Sequence, residues 1–376
     1  MARRLLRIVL GAVLAATGSA ALASCSASRI KPTAIVHISG RVVSSTGVGI
    51  PGVHVLMLRE VDLGQALFGG LIAVGTLSAV CYLPDPPAVC DRARRTTTDA
   101  HGDYAFTLTG QDTQGSFGTA ATLDVVLDAG PGSASLRFTA DRAVVHLPVV
   151  HRQRPGAAVT REGRVLSIGA DPVAATAGSD ATYGVRFLQG TDVVWSQPLD
   201  GRHGRIDTRV LEDLRARPVI VVDTRLAGGA GAGDVRAEYT GPALGPVRGP
   251  GAPPSRGRPC SAVTGTSPTA VFPSAACAFT DGDLFGDARL SAGGKVVDGV
   301  VVDLGRVRPV GLVVVRGFAG QVVVELSGDG RHYTTAATLN ANASPIAVDI
   351  TGRARFVRVR APSGLDESLA TEVSVW

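Results

Sequence analysis

Gln321 to Tyr333 reads QVVVELSGDGRHY. Three β-branched residues run into an alternation of polar and apolar positions, then into Ser327-Gly328-Asp329-Gly330. That is a strand closed by a hairpin turn: valine suits a pleated, buried surface, while Asp and Gly supply the local hydrogen bonds and left-handed backbone of a tight turn. The same grammar recurs on both sides. Val297–Leu304 reads VDGVVVDL, Gly311–Gly317 reads GLVVVRG, and further strand patterns fall at Ala347–Ile350, Arg355–Val359 and Glu372–Val375. Toward the N-terminus, short valine-rich runs alternate with Gly and Pro, and apolar spacing of 3.6 residues is scarce. The fold class this implies is all-β, a tandem of β-sandwiches.

Five segments of the last stretch, 260–376, occur in the order and spacing of a known family. They are Thr280-Asp281-Gly282, Val302-Asp303-Leu304-Gly305, Val323-x-Glu325-Leu326-Ser327-x-Asp329-Gly330-x-x-Tyr333, Arg355-Phe356-Val357-Arg358-Val359 and Glu372-Val373-x-Val375. Together they resemble the discoidin, or factor 5/8 type C, domain, which implies a galactose-binding-like jelly roll. Such domains bind glycans, phospholipids or proteins through loops at one end, and many hold a structural calcium near the Asp-Gly turn. On this chain the ion would meet Asp281, Asp283 and Asp287, since hard calcium takes carboxylate and carbonyl oxygens. The alternative is that these aspartates only form turns. Loop candidates for ligand contact are Phe285 and Phe318, with Arg316, Arg331 and His332 beside them. Phe356 and Trp376 lie in strand patterns and are expected in the core.

Residues 34–152 carry a second resemblance. Gly40-x-Val42, Gly49-x-Pro51-Gly52-Val53-x-Val55 and Thr98-Asp99-x-x-Gly102-x-Tyr104-x-Phe106 are similar to the carboxypeptidase regulatory-like domain, a transthyretin-like sandwich whose members are normally non-catalytic spacers or docking modules. An insertion at 61–95 departs from it. Its centre, Ala66–Leu83, is almost wholly apolar or small, and as a helix would be ~27 Å long, bordering on a membrane span. Three readings stay open: it covers the sandwich, contacts a membrane or membrane protein, or spans the bilayer. Residues 156–240 fit an immunoglobulin-like or fibronectin-like sandwich. Residues 241–259, GPALGPVRGPGAPPSRGRP, read as an exposed Pro/Gly linker.

The N-terminus locates the chain. Arg3, Arg4 and Arg7 precede an apolar run that ends Leu22-Ala23-Ser24-Cys25. This is a signal-peptide pattern, and its last four residues resemble the lipobox of bacterial lipoproteins. The resemblance implies cleavage after residue 24, lipid on Cys25 and a place on the outer face of the cytoplasmic membrane. The pattern leaves Sec and twin-arginine export open. The tether 25–33 then holds the first domain within ~28 Å of the bilayer. Removing the three leader arginines, with no acid beside them, lowers the formal net charge from +5 to +2, and no basic tail is present, so nucleic acid is excluded as a partner. Beyond Cys25, four cysteines remain. Cys81/Cys90 and Cys260/Cys277 are the simplest disulfides among three pairings, as an oxidising exterior favours.

No His-Glu-x-x-His, nucleophile elbow or phosphate loop occurs among the motifs. No catalytic residue is assigned, and calcium is the one cofactor in view. The reading is a membrane-anchored envelope binding protein whose partner is a glycan or an envelope protein. Its alternative is a non-catalytic subunit bracing an envelope complex.

Overall fold

A computed structural model of the chain describes residues 28–59, 94–114, 119–128, 133–173, 181–226, 230–263, 277–284, 297–342, 345–362 and 371–376. The leader, Cys25, Cys81, Cys90, nearly all of the insertion, Phe285 and Asp287 lie outside them. Among the described residues there are 22 strands and no α-helix, and no helix long and apolar enough to cross a membrane. In chain order the strands are β1 (Ile35–Val43), β2 (His54–Arg59), β3 (Arg94–Thr97), β4 (Asp103–Thr109), β5 (Thr122–Leu127), β6 (Ala134–Thr139), β7 (Val144–His146), β8 (Val150–His151), β9 (Ala157–Glu162), β10 (Val165–Ala170), β11 (Thr182–Gln189), β12 (Asp192–Pro198), β13 (His203–Asp207), β14 (Arg215–Leu226), β15 (Val235–Thr240), β16 (Val247–Arg248), β17 (Cys260–Val263), β18 (Gly299–Arg316), β19 (Ala319–Ser327), β20 (Thr334–Asn342), β21 (Ile346–Arg360) and β22 (Glu372–Val375).

The chain forms two compact units. The first holds the described residues of 1–156, 171–183 and 221–242; the second holds those of 157–170, 184–220 and 243–376. In the first unit β1 pairs antiparallel with β4 and parallel with β7 and β8. Another sheet runs β15-β6-β5-β2-β3. The period-2 alternation predicted for β4 is present, with Tyr104, Phe106 and Leu108 all buried on one face. The Asp99 turn forms as read: its Oδ1 accepts from the amides of His101 (2.8 Å) and Asp103 (3.0 Å). Gly102 sits at φ +80, and a Cβ there would come within 2.2 Å of the Val42 carbonyl oxygen. The two sequence motifs meet through Thr98, whose Oγ1 donates to Ile50 O and accepts from Val53 N.

The second unit is built on two long strands. β18 and β21 pair antiparallel from Gly299↔Arg360 to Val315↔Ile346, with irregularities between Asp303 and Arg308 and between Val310 and Leu312. Such bulges bend a sheet so that one strand serves two layers. β17 pairs the first half of β18 and β22 the second, while β19 and then β20 extend from the end of β21. Val300, Val302, Val313, Val315, Val322, Val324, Val357 and Val359 converge on one core with Phe279 and Phe318. Consecutive valines thus reflect burial among packed layers, which disfavours any polar alternation.

Two expectations need revision. Residues 156–240 do not hold together as one sandwich: β15 and the second half of β14 extend the sheets of the first unit, while β9, β10 and β13 form a small sheet of the second. Their apolar faces are completed by strands from elsewhere in the chain, which a local pattern cannot show. The Pro/Gly stretch is not a free linker either. Val247 is buried and pairs with Ala216, Ser255 is fully buried, and its Oγ accepts from Val375 N at 2.8 Å. Proline removes donors but leaves carbonyls and side chains to pack.

Cys260 and Cys277 are bonded, as one of the simplest pairings predicts. The bond closes a 17-residue separation, a loop whose constraint on the unfolded chain is worth ~3 kcal/mol. Replacing both cysteines by Ser is therefore expected to lower denaturant stability by about that amount; a loss near zero in a chemical melt would contradict it.

Candidate functional site

The outer face of the β19–β21 pair is made by alternation. Val322, Val324, Val357 and Val359 point inward, so Glu325, Ser327, Phe356, Arg358 and Arg360 line the other side. Register sets Glu325 opposite Arg358, and its Oε2 accepts from Arg358 Nε (2.6 Å) and Arg360 Nε (2.9 Å). Burial alone would raise the Glu325 pKa, but the two guanidinium groups outweigh it and hold the carboxyl below its ordinary value. The Arg358 guanidinium lies 3.9 Å from the centroid of the half-buried Tyr333 ring, a cation–π contact.

The adjoining turn is fastened from within. Ser327 Oγ accepts from Gly330 N (2.9 Å). Asp329 Oδ1 accepts from the amides of Arg331 and His332, and its Oδ2 lies 2.7 Å from His332 Nδ1. The His332 amide and ring, and then the Arg331 amide, hold the Asp329 carboxyl well below the usual carboxylate range. Gly330, at φ +74, comes against the Phe356 ring, where a Cβ would meet Cε2 at a tight 3.1 Å. Over that ring lies the Arg355 guanidinium, 4.7 Å from its centroid and doubly bonded to Asp303. Hydrogen bonding from Arg355 keeps the Asp303 pKa below its ordinary value.

The result is a fixed surface with two half-buried aromatic rings, Tyr333 lying on the buried Arg358 guanidinium and Phe356 under the more exposed guanidinium of Arg355, and with Arg331 and His332 exposed at its rim. Such a surface can stack apolar faces of a ligand while fixed donors and acceptors orient its polar groups.

Of the residues proposed for ligand contact, Arg331 and His332 lie on this surface. Arg316 and Phe318 do not. Phe318 is 1% exposed and packs against Phe279 with ring centroids 6.4 Å apart. Gly317, at φ +74, immediately precedes Phe318. Arg316 is 3% exposed and donates to the carbonyls of Val194 and Val210, both at 2.6 Å. Conversely Phe356, expected in the core, is half-buried on the outer face. The missed signal was parity: Val357 and Val359 are the inward residues, so Phe356 had to face outward.

The calcium expectation concerns Asp281, Asp283 and Asp287. Asp281 Oδ1 accepts from Asp283 N (2.8 Å), and the Arg256 guanidinium lies against Gly282, where a Cβ would meet its Cζ at 2.6 Å. Among the described residues no group of three His, Cys, Asp or Glu could hold a metal ion. Asp287, the third expected ligand, lies outside the described residues.

No protein-family model matches the chain, and no curated protein matches it. Similar solved structures include the module CpGH89CBM32-5 of Clostridium perfringens in complex with GalNAc-β-1,3-galactose (16% identity, 33% of this chain and 99% of that one, TM-score 0.27). The family 32 CBM of C. perfringens NanJ in complex with galactose is similar at 18% identity (33% and 96%, TM-score 0.26). The CBM32 of AlyQ in complex with 4,5-unsaturated mannuronic acid is similar at 20% identity (26% and 81%, TM-score 0.21). At these identities and scores the likeness transfers neither ligand nor site to this chain.

Proposed function

We propose that this chain is a non-catalytic envelope lipoprotein, held at the outer face of the cytoplasmic membrane by lipid on Cys25, that binds glycan through the outer face of the β19–β21 pair. The observation that carries the reading is the fixed aromatic and guanidinium surface formed by Tyr333, Arg358, Phe356 and Arg355. A sugar ring offers a C–H face for stacking and hydroxyls for planar donors and acceptors, and a surface with little freedom to lose on binding favours such a ligand. The first unit serves as a spacer near the bilayer in this scheme.

The test is a glycan array with the full chain secreted as a Cys25→Ala variant. Binding to at least one glycan class is expected. Tyr333→Ala and Phe356→Ala are each expected to weaken it about tenfold or more, equivalent to ~1.4 kcal/mol. Absence of binding to any glycan, or binding indifferent to both substitutions, would overturn the proposal.

A further inference from the structure

Arginines gather around the aspartates at the turn end of this jelly roll. Contacts trace a continuous path. Arg331 and His332 follow the turn whose Gly330 touches Phe356; Arg355 covers Phe356 and binds Asp303; Asp303 Oδ1 accepts from Gly305 N; and Arg258 Nη1 lies against Gly305. Arg306 follows in the exposed bulge. Beyond it Arg308 pairs across to Ala354 and Pro309 to the exposed Arg353.

Six arginines (258, 306, 308, 331, 353 and 355) therefore lie along this path with two aspartates, 303 and 329. The excess of four positive charges is twice the net +2 that remains on the chain once the leader arginines are removed. Both aspartates are already committed, Asp303 to Arg355 and Asp329 to His332 and the turn amides. Among the described residues Arg306, Arg331 and Arg353 form no ion pair, and all three are exposed.

We infer that this end binds an acidic glycan, its arginines taking the oxyanions of a polymer chain while Phe356 and Tyr333 meet its sugar faces. The inference rests on the glycan-binding reading above and adds the ligand's charge. Guanidinium forks match the two oxygens of a carboxylate or phosphate. The repeat of a polymer suits a row of arginines better than a single pocket would. Carboxylate and phosphodiester share this chemistry, so both belong in the test. A bilayer fits less well, because among the described residues the one large apolar side chain exposed in this stretch is Val307.

The test is titration of the full Cys25→Ala chain with polygalacturonate, a phosphomannan, a neutral galactan and phosphatidylglycerol vesicles. One or both acidic polymers are expected to bind at least tenfold more tightly than the galactan, and to weaken tenfold or more as salt rises from about 0.05 M to about 0.5 M. The double variant Arg306→Glu, Arg353→Glu is expected to lose that advantage and leave any binding to galactan unchanged. If galactan binds as well as the tighter-binding acidic polymer, the inference fails and the glycan reading stands. If vesicles bind as tightly as the polymers, the end is a membrane surface and the inference fails. If no glycan binds, both fail.

Discussion

Arg316→Ala is expected to destabilise the protein by about 3–5 kcal/mol, among the largest effects of any single substitution in the chain. The guanidinium is almost wholly buried. It donates to two carbonyls from distant parts of the chain, Val194 and Val210, and lies 3.7 Å from Glu212 Oε1. Glu212 is itself fully buried and also accepts from Arg256 Nη2 and Ser374 Oγ. Removing Arg316 orphans two carbonyls and leaves Glu212 with one cation. An isolated buried charge costs far more than the pair contributes in water, so the loss comes chiefly from what remains behind. Arg316→Lys is expected to recover little, because an ammonium on a single stem cannot span both carbonyls as the planar fork does. Urea melts at neutral pH measure this. A loss below about 1 kcal/mol would show that the network is not buried as described.

Glu372→Gln is expected to stabilise the protein at neutral and alkaline pH. Glu372 is fully buried, and its Oε1 has no hydrogen-bond partner. Burial first, and then the charge of Glu212, push its pKa up to about 9, against the lowering effect of the Gly282 amide. The folded protein therefore keeps a proton that the unfolded chain releases above its ordinary value of 4.5. More protons on the folded state mean that stability falls as pH rises, starting near 4.5 and levelling off above about 9. Glutamine imitates the protonated form without the titration. The variant should show a flatter profile and exceed the wild type by about 2 kcal/mol or more at pH 8. Equal profiles for the two proteins between pH 5 and pH 8 would contradict the assignment.

The Arg316 network also shows where the sequence could and could not be read. The turn Asp99–Gly102 and the turn Ser327–Gly330 were legible because their chemistry is local: an Asp carboxylate capping nearby amides and a Gly at positive φ within four residues. The valine strands were legible for the same reason. Arg316, in the stretch VVVRGFAG, looks like a strand ending in an exposed loop. What buries it is Glu212 and the carbonyls at 194 and 210, more than a hundred residues earlier. Glu212 itself adopts φ +55 without being glycine, and no residue nearby announces that. The segment 241–259 misled by composition, since its glycines and prolines suit an ordered crossing as well as a loose one. Gly249 packs so closely on Glu212 that a Cβ would come within 2.0 Å of its carbonyl oxygen.

The outer face was half legible. Arg331 and His332 were read as surface residues, and Tyr333 stood in the quoted motif. The pairing of Tyr333 with Arg358, and of Phe356 with Arg355, depends on which strand lies beside which. Parity within Arg355–Val359 gives the side on which Phe356 stands. Only the register Ser327↔Phe356 brings it to the turn.

The most direct test of the whole account is the affinity of the secreted full-length chain for the glycan class it binds best, measured by titration calorimetry for wild type, Tyr333→Ala and Phe356→Ala in parallel with their melting temperatures. The account predicts that each substitution weakens binding about tenfold or more while the fold stays intact. Unchanged affinity in both folded variants, or no glycan bound by the wild type, would contradict it.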